Sequence, residues 1–242
     1  MSILFDKKFL IEGHRGVQSL YPGNTLPSFQ AAIDLHVDCI ELDLLAIEGG
    51  EIVIHHDYKV SERLIHSFTL PELKRAKIPL LKELFEMVQK SKSKICFNLE
   101  IKSDPKHPEY TLPLDVLSGK IVGFVREYGF VSRVYYSSFH PEALFAIKRA
   151  DPGAVVALLY HNGAGKQWLK PVLDVCAQVS AQIVSPCESL LNAEIMHAFK
   201  QAKLRVIPWV VNDFPRFEEL VAMGVDGIIT DYPQDFLRKS RI

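Results

Sequence analysis

An α/β chain closed into a TIM-type (β/α)8 barrel is the fold this sequence predicts, on three observations. The 242 residues match the usual size of one such barrel, roughly 250 residues. Strand-like and helix-like segments alternate about eight times along the chain. The strands read as nearly continuous apolar runs, the pattern of parallel strands buried on both faces. An open doubly wound sheet would share the alternation, but the GxGxxG turn of a lone dinucleotide-binding sheet is absent.

The predicted strands, in order, are Phe9–His14, Cys39–Ala46, Ile52–His56, Ile95–Ile101, Val134–Phe139, Val155–Leu159, Gln182–Pro186, Arg205–Val211 and Gly227–Thr230. Each is a short β-branched or aromatic run, mostly bounded by Gly, Pro, Asn or Asp. Helical spacing follows the first at Leu26, Phe29, Ala32 and Ile33, and recurs at Leu80, Leu84, Phe85 and Val88. Asp213 stands as an N-cap before Phe214, Phe217 and Leu220, and Gly224 ends that helix. One pair of strands breaks the alternation. Only a short turn around Gly49 and Gly50 separates Cys39–Ala46 from Ile52–His56, so the two form a hairpin or one bent strand. The charged stretch Asp57–Pro79 has weak periodicity and is expected to be a loop or small excursion over one end of the barrel. No repeat or Gly/Ser-rich linker divides residues 1–242, which read as one domain.

Composition narrows the function. Lys plus Arg number 28 against 29 for Asp plus Glu, so the chain lacks the basic excess of a general nucleic-acid binder. No apolar run approaches the roughly 20 residues needed to span a bilayer, and the opening segment lacks the pattern of a leader. Cys39, Cys96 and Cys176 lie in apolar runs, where small core residues are expected, and with Cys187 they form no CxxC pair. Scattered cysteines suit a reducing compartment, and the cytoplasm is the expected location.

Five polar residues fall at or near the ends of the first strands: His14, Glu41, Asp43, His56 and Glu100. Active sites of barrels of this kind gather at the C-terminal strand ends. Glu41 and Asp43 are two apart on one strand and share a face, inside an otherwise apolar run. Two such carboxylates repel each other and lose hydration, which a bound cation or buried Arg and Lys partners would offset. Glu100 in FNLEIK offers a third carboxylate. Three carboxylates without cysteine suit one hard divalent cation, Mg2+ or Ca2+. His14 and His56 can take or give a proton near neutrality, as hydrolysis of a phosphodiester requires. Arg15 and Lys102 add fixed positive charge for phosphate oxygens.

With these residues in view, GHRG (13–16), the PxNT element (22–25), ELDL (41–44), VIHHD (53–57) and LEIK (99–102) resemble the glycerophosphodiester phosphodiesterase family. PWVVND (208–213) and VDGIITDYP (225–233) extend the resemblance to the C-terminus, with the motifs in family order. The resemblance implies a TIM barrel that hydrolyses small glycerophosphodiesters to glycerol 3-phosphate and an alcohol such as choline or ethanolamine. It places Glu41, Asp43 and Glu100 as metal ligands, His14 and His56 as the acid-base pair, and Arg15 and Lys102 on the phosphate. It also implies first attack by the substrate's own glycerol hydroxyl, giving a cyclic phosphate that water opens.

One position departs from the family. Where it usually reads PENT, this chain has Gly23, so a loop carboxylate that could support the metal site or a nearby Arg is missing. Glu12, two residues before His14 on the same strand face, could compensate by orienting His14 or joining the site's charges; pairing with an unrelated cation inside the barrel is the alternative. Trp209 sits in a family motif and is expected to pack on the glycerol or head group, or else to be a core aromatic. Phe139 and His140 are weaker candidates for the pocket. His36, His66, His107, His161 and His197 show no ligating spacing, and Asp226 and Asp231 are expected to cap turns or hold loops. Two other functions fit the residues: a related barrel acting on a lysophospholipid, entered past Leu64, Ile65, Phe68 and Leu70, or a phosphodiester-binding barrel without turnover.

Overall fold

The computed structural model describes residues 7–161 and 167–239, so the first six residues of the opening segment lie outside the description. The chain begins with β1 (Leu10–Gly13) and β2 (Cys39–Ala46), then β3 (Ile52–Ile54), followed by an excursion that holds β4 (Lys59–Val60) and β5 (Arg63–Leu64). It continues through β6 (Cys96–Ile101), β7 (Val134–Ser138), β8 (Val156–Tyr160), β9 (Ile183–Pro186), β10 (Arg205–Val206) and β11 (Gly227–Thr230). Eight of these are joined in parallel in the order β10-β9-β8-β7-β6-β2-β1-β11. The remaining gap is bridged by the main chain. Asp226 N–H donates to Val206 O at 2.8 Å, and Ile229 N–H to Pro208 O at 2.9 Å. The predicted barrel is the observed architecture.

Each barrel strand alternates between an outer face and the barrel interior. Leu10, Cys39, Cys96, Tyr135, Ala157, Ile183, Ile207 and Ile229, one from each strand or just past it, pack as a separate inner cluster. The opposite faces join the helices in the main core, with Ile11, Ile40, Leu42, Phe97 and Leu99 buried among them. Strands that pack both ways must be apolar on both sides, which is why they read as continuous hydrophobic runs.

Helices fill the outer layer. The first is α1 (Leu26–Asp34), which Thr25 caps by accepting from Ser28 N–H. Next come α2 (Leu70–Ala76) in the excursion, α3 (Leu81–Ser91), α4 (Leu114–Glu127), α5 (Pro141–Ala150), α6 (Leu169–Gln178) and α7 (Ala193–Gln201). The last two are α8 (Phe214–Met223) and α9 (Pro233–Lys239). As expected, Asp213 caps α8 by accepting from Arg216 N–H, and Gly224 closes it in the left-handed region at φ 84°. No helix among the described residues is long and apolar enough to cross a membrane.

Three local expectations change or sharpen. The hairpin is real, with β3 antiparallel to β2 through Leu44–Ile54, Leu45–Val53 and Ala46–Ile52. The Asp57–Pro79 stretch is more ordered than a loop: β4 pairs with β5, and α2 sits over a small core of Leu45, Ile47, Val53, Ile65, Leu73 and Ile78. The strand expected over Arg205–Val211 is regular only at Arg205–Val206: Ile207 and Trp209 still donate to Val184 and Pro186 of β9, but Pro186 has no N–H to return the bond, and Pro208 has none to offer toward β11.

Candidate active site

All five polar strand-end residues meet at the C-terminal mouth of the barrel. His14, Arg15, Glu41, His56 and Glu100 line one cavity of about 190 Å³ together with Ser137, Phe139, Leu159, His161, Trp209 and Ile229. A second cavity of about 390 Å³ adjoins it and shares Glu100, Phe139, Leu159 and His161; Tyr58, Lys102, Ser103 and His140 belong to that side.

Register brings the carboxylates together. Asp43 on β2 stands opposite Glu100 on β6, with Glu41 one inward-facing position below Asp43. One oxygen from each of Glu41, Asp43 and Glu100 lies within 4.8 Å of the others, and all three residues are buried. Arg15 Nε is 3.2 Å from Asp43 Oδ2, and Lys102 Nζ is 2.8 Å from Glu100 Oε1 and 3.4 Å from Asp43 Oδ1. Three carboxylates thus face two cations, leaving an excess of negative charge in a buried place.

The acidities register that excess. Burial, followed by repulsion from Asp43 and Glu100, holds the Glu41 carboxyl well above the usual carboxylate range. Burial and Asp43 push Glu100 up to about 7. Burial also works against ionised Asp43, but Lys102 and Arg15 outweigh it and bring Asp43 below its usual value. Two carboxyls that resist ionisation beside one that favours it are a site short of positive charge, and an all-oxygen donor set fits a hard divalent cation.

The loop after β1 is built to hold this arrangement. Arg15 turns into the left-handed region at φ 53°, which points its N–H to Glu41 Oε2 at 2.9 Å. Gly16 follows at φ 91°, and a side chain there would collide with Ser28, whose hydroxyl ties down Val17 N–H and the Arg15 carbonyl. Asn24 of the PxNT element donates to Asp43 Oδ2 at 2.7 Å. Asn24, rather than position 23, is therefore the residue of this turn that reaches the acidic cluster.

Each histidine has its own carboxylate. His14 Nδ1 pairs with Asp231 Oδ1 at 2.6 Å, and its Nε2 faces Glu41 Oε2 at 3.9 Å. His56 Nδ1 pairs with Asp57 Oδ1 at 2.7 Å. Burial, Lys102 and Arg15 bring the His56 pKa below its usual 6.5 against the opposing pull of Asp43 and Asp57, which favours a neutral ring near pH 7. Asp231 is held low despite its burial by hydrogen bonds from His14, Asn212 and Gln18.

Sequence reasoning missed some of the site. Asp231 was expected to serve a turn or loop, yet it holds His14 from 217 positions away in the chain. Gln18, which donates to Asp231 Oδ1 at 2.6 Å, lies outside every motif of the sequence. His161, set aside for want of partner spacing, lines both cavities beside Phe139. No spacing rule could find these contacts, because barrel closure rather than local periodicity makes them; their positions at strand ends were the available signal. His140 does line the second cavity. Trp209 lines the first, with its indole N–H on the Ser185 carbonyl at 2.9 Å and its ring against Phe139. Asp226 holds Val206 N–H and Lys200, as a residue fastening loops should.

Glu12 does not orient His14. Its Oε2 accepts from the Tyr135 hydroxyl at 2.7 Å and from Asn98 at 3.2 Å, one layer below the site. Alternate residues on a strand share a face, but consecutive inward positions lie at different depths in the barrel.

Comparison with known proteins settles the family. The family model of the glycerophosphoryl diester phosphodiesterases matches residues 14–235. The chain belongs to that family. It is similar to a glycerophosphodiester phosphodiesterase from Caldanaerobacter subterraneus subsp. tengcongensis, 29% identical over 97% of this chain and 98% of that one. Its fold matches a phosphodiesterase from Oleispira antarctica solved with the product sn-glycerol-3-phosphate, at TM-score 0.83 and 20% identity, covering 99% of both chains. A glycerophosphodiester phosphodiesterase from Thermotoga maritima matches at TM-score 0.76 and 22% identity, covering 96% of this chain and 98% of that one.

Proposed function

We propose that this member of the phosphodiesterase family hydrolyses small glycerophosphodiesters to glycerol 3-phosphate and an alcohol, using one divalent cation, Mg2+ or Ca2+. The observation that carries this reading is the convergence of Glu41, Asp43 and Glu100 with Arg15, Lys102 and two histidines at the mouth of the barrel, where two cavities adjoin. The relatives' names and the product bound in the Oleispira enzyme support the substrate class.

Glu41, Asp43 and Glu100 would hold the cation, which supplies positive charge against the phosphate oxygens and the charge developing in the transition state. Arg15 and Lys102 already lie on the acidic cluster, so they are placed to turn toward a phosphate bound there. His56, neutral and lining the cavity, takes the proton from the attacking hydroxyl. His14 gives one to the leaving alkoxide. Its partner Asp231 is only 20% exposed against 72% for Asp57, so the charge supporting an imidazolium is less screened at His14. If the substrate's glycerol hydroxyl attacks first, the two histidines exchange roles when water opens the cyclic phosphate. Trp209 and Phe139 offer apolar faces to the glycerol carbons. The free cysteines agree with a cytoplasmic location.

A lysophospholipid remains the second reading because of one groove. Tyr21, Leu26, Leu70, Leu73, Ile78 and Leu80 line an apolar depression of about 450 Å³ beside the β1–α1 loop. The deciding assay is glycerol 3-phosphate release from glycerophosphocholine, with EDTA, Mg2+ and Ca2+ compared. Metal-dependent release supports the first reading. Turnover of lysophosphatidylcholine alone would replace it with the second, and binding without turnover would leave a phosphodiester-binding barrel.

A further inference from the structure

Gly23 is a glycine for want of space rather than for backbone freedom. It is not among the residues at positive φ. A Cβ there would lie 2.6 Å from Gln18 Oε1 and 3.0 Å from Arg15 Cβ. The volume beside residue 23 is therefore filled by the Gln18 side chain. Its other end is fixed as well: Gln18 Nε2 lies 2.6 Å from Asp231 Oδ1 and 3.2 Å from His14 Nδ1. The amide can present only its NH2 to Asp231, because turning it over would set the carbonyl oxygen against a carboxylate.

Asp231 gathers three partners. Oδ1 receives Gln18 and His14, and Oδ2 receives the Asn212 amide at 2.7 Å. With both oxygens engaged, the carboxylate has a single orientation, and the His14 ring pivoted on it presents Nε2 to the cavity, 3.9 Å from Glu41. Gln18 is not among the residues lining the cavity; its hydrogen bonds reach the site only at Asp231 and at the Nδ1 side of His14.

We infer that Gln18 is a positioning residue that aims His14 through Asp231, and that Gly23 is the empty half of the same device, leaving the volume Gln18 needs. The inference about turnover rests on the functional reading above; the shared volume does not.

Three changes at position 18 separate aiming from filling. Gln18→Met keeps the volume without the donor, and Gln18→Glu keeps the shape but sets a carboxylate against Asp231. Aiming predicts about a tenfold fall in kcat for Gln18→Met and a larger one for Gln18→Glu, with KM within about twofold because neither touches substrate. Filling predicts both near wild type and only Gln18→Ala impaired, an order that would overturn the inference. The volume claim is read by melting temperature without substrate. Gly23→Ala should lower it clearly more in the wild-type chain than in the Gln18→Ala background, where only the Arg15 contact remains; additive losses would refute the sharing. If the folded wild-type chain turns over no glycerophosphodiester, the functional reading fails by itself. The 15N spectrum of His14 then decides the aiming: a proton fixed on Nδ1 in wild type and a mixture of tautomers in Gln18→Met uphold it, and identical spectra sink it.

Discussion

A cluster of three buried acids and a single buried acid occupy the same barrel interior, one layer apart, and they are held in opposite ways. In the upper one, Glu41, Asp43 and Glu100 crowd within 4.8 Å and are met by Arg15 and Lys102, two positive charges for three negative. In the lower one, Glu12 stands alone, pushed up to about 7 by burial, and is met by neutral donors from Tyr135 and Asn98. A lone carboxyl in an apolar place can stay protonated, and two hydrogen bonds satisfy one of its oxygens. Three at the end of a strand cannot all do so beside fixed cations. The lower arrangement relies on neutral donors to one oxygen and leaves Oε1 without a hydrogen-bond partner, whereas the upper one has a place for added positive charge.

The largest expected effects test that contrast directly. Glu41→Ala, or removal of divalent metal from the wild-type chain, should cut glycerol 3-phosphate release by more than about a thousandfold. Adding Mg2+ or Ca2+ should raise the melting temperature of the wild type but not of Glu41→Ala. A Glu41→Ala protein that keeps either the activity or the metal-induced stabilisation would remove the upper cluster from the site.

Next in size are the histidines. His14→Ala and His56→Ala should each lower kcat by about 10² to 10⁴-fold while the stabilisation by metal survives. That separation matters, because Lys102 and Arg15, rather than the imidazoles, contact the acidic cluster most closely. Loss of metal stabilisation in either variant would mean that the histidines help hold the ion.

The contrast also shows why one layer could be read from the sequence and the other could not. Glu41 and Asp43 interrupt an apolar strand with period two, so their shared face follows from strand geometry alone. Glu100 and Lys102 repeat that pattern one barrel strand away, and the wound alternation of strands and helices announced the barrel around them. Glu12 has the same period-two relation to His14, yet its partners are Asn98 and Tyr135, 86 and 123 positions away. Spacing tells which face a side chain takes but not its depth, and depth separates Glu12 from the site. Asp231 was hidden for a related reason: it meets His14 only because β11 closes the barrel against β1.

A smaller effect, of opposite sign for different acids, should appear in the stability of the metal-free protein. Glu12 and Glu100 are raised from 4.5 to about 7, so between those values the folded state binds more protons than the unfolded one. Stability is then full below about pH 4.5 and falls as pH rises through 7, by roughly 3 kcal/mol for a carboxyl moved that far. Glu41, also raised, adds in the same direction. Asp43, lowered by Lys102 and Arg15, acts oppositely: its contribution is present above its usual value of 3.8 and is lost on acidification. Metal should flatten the fall from the upper cluster and leave that from Glu12. Denaturant unfolding from pH 4.5 to 8, with and without Mg2+, measures both; a metal-free stability that climbs with pH across this range would contradict the assignment.

The smallest change is expected from the lower layer itself. Tyr135→Phe removes the hydroxyl that donates to Glu12 Oε2 at 2.7 Å, leaving the weaker Asn98 bond at 3.2 Å to a carboxyl whose Oε1 already lacks a hydrogen-bond partner. That should cost about 1–2 kcal/mol of stability. Glu12→Gln keeps the shape and removes the titration, so the pH-dependent fall that persists in metal should disappear. For both variants kcat should stay within about twofold of wild type, because neither side chain lines the cavity. One route could carry a larger effect upward: Ser137, which does line it, donates to Asn98 Oδ1 at 2.7 Å, and Asn98 is bonded in turn to Glu12. A fall in activity for Glu12→Gln matched by Ser137→Ala would make the two layers one network. Unchanged activity with a flattened stability profile would keep the upper carboxylates as the chemistry and the lower one as part of the barrel that carries it.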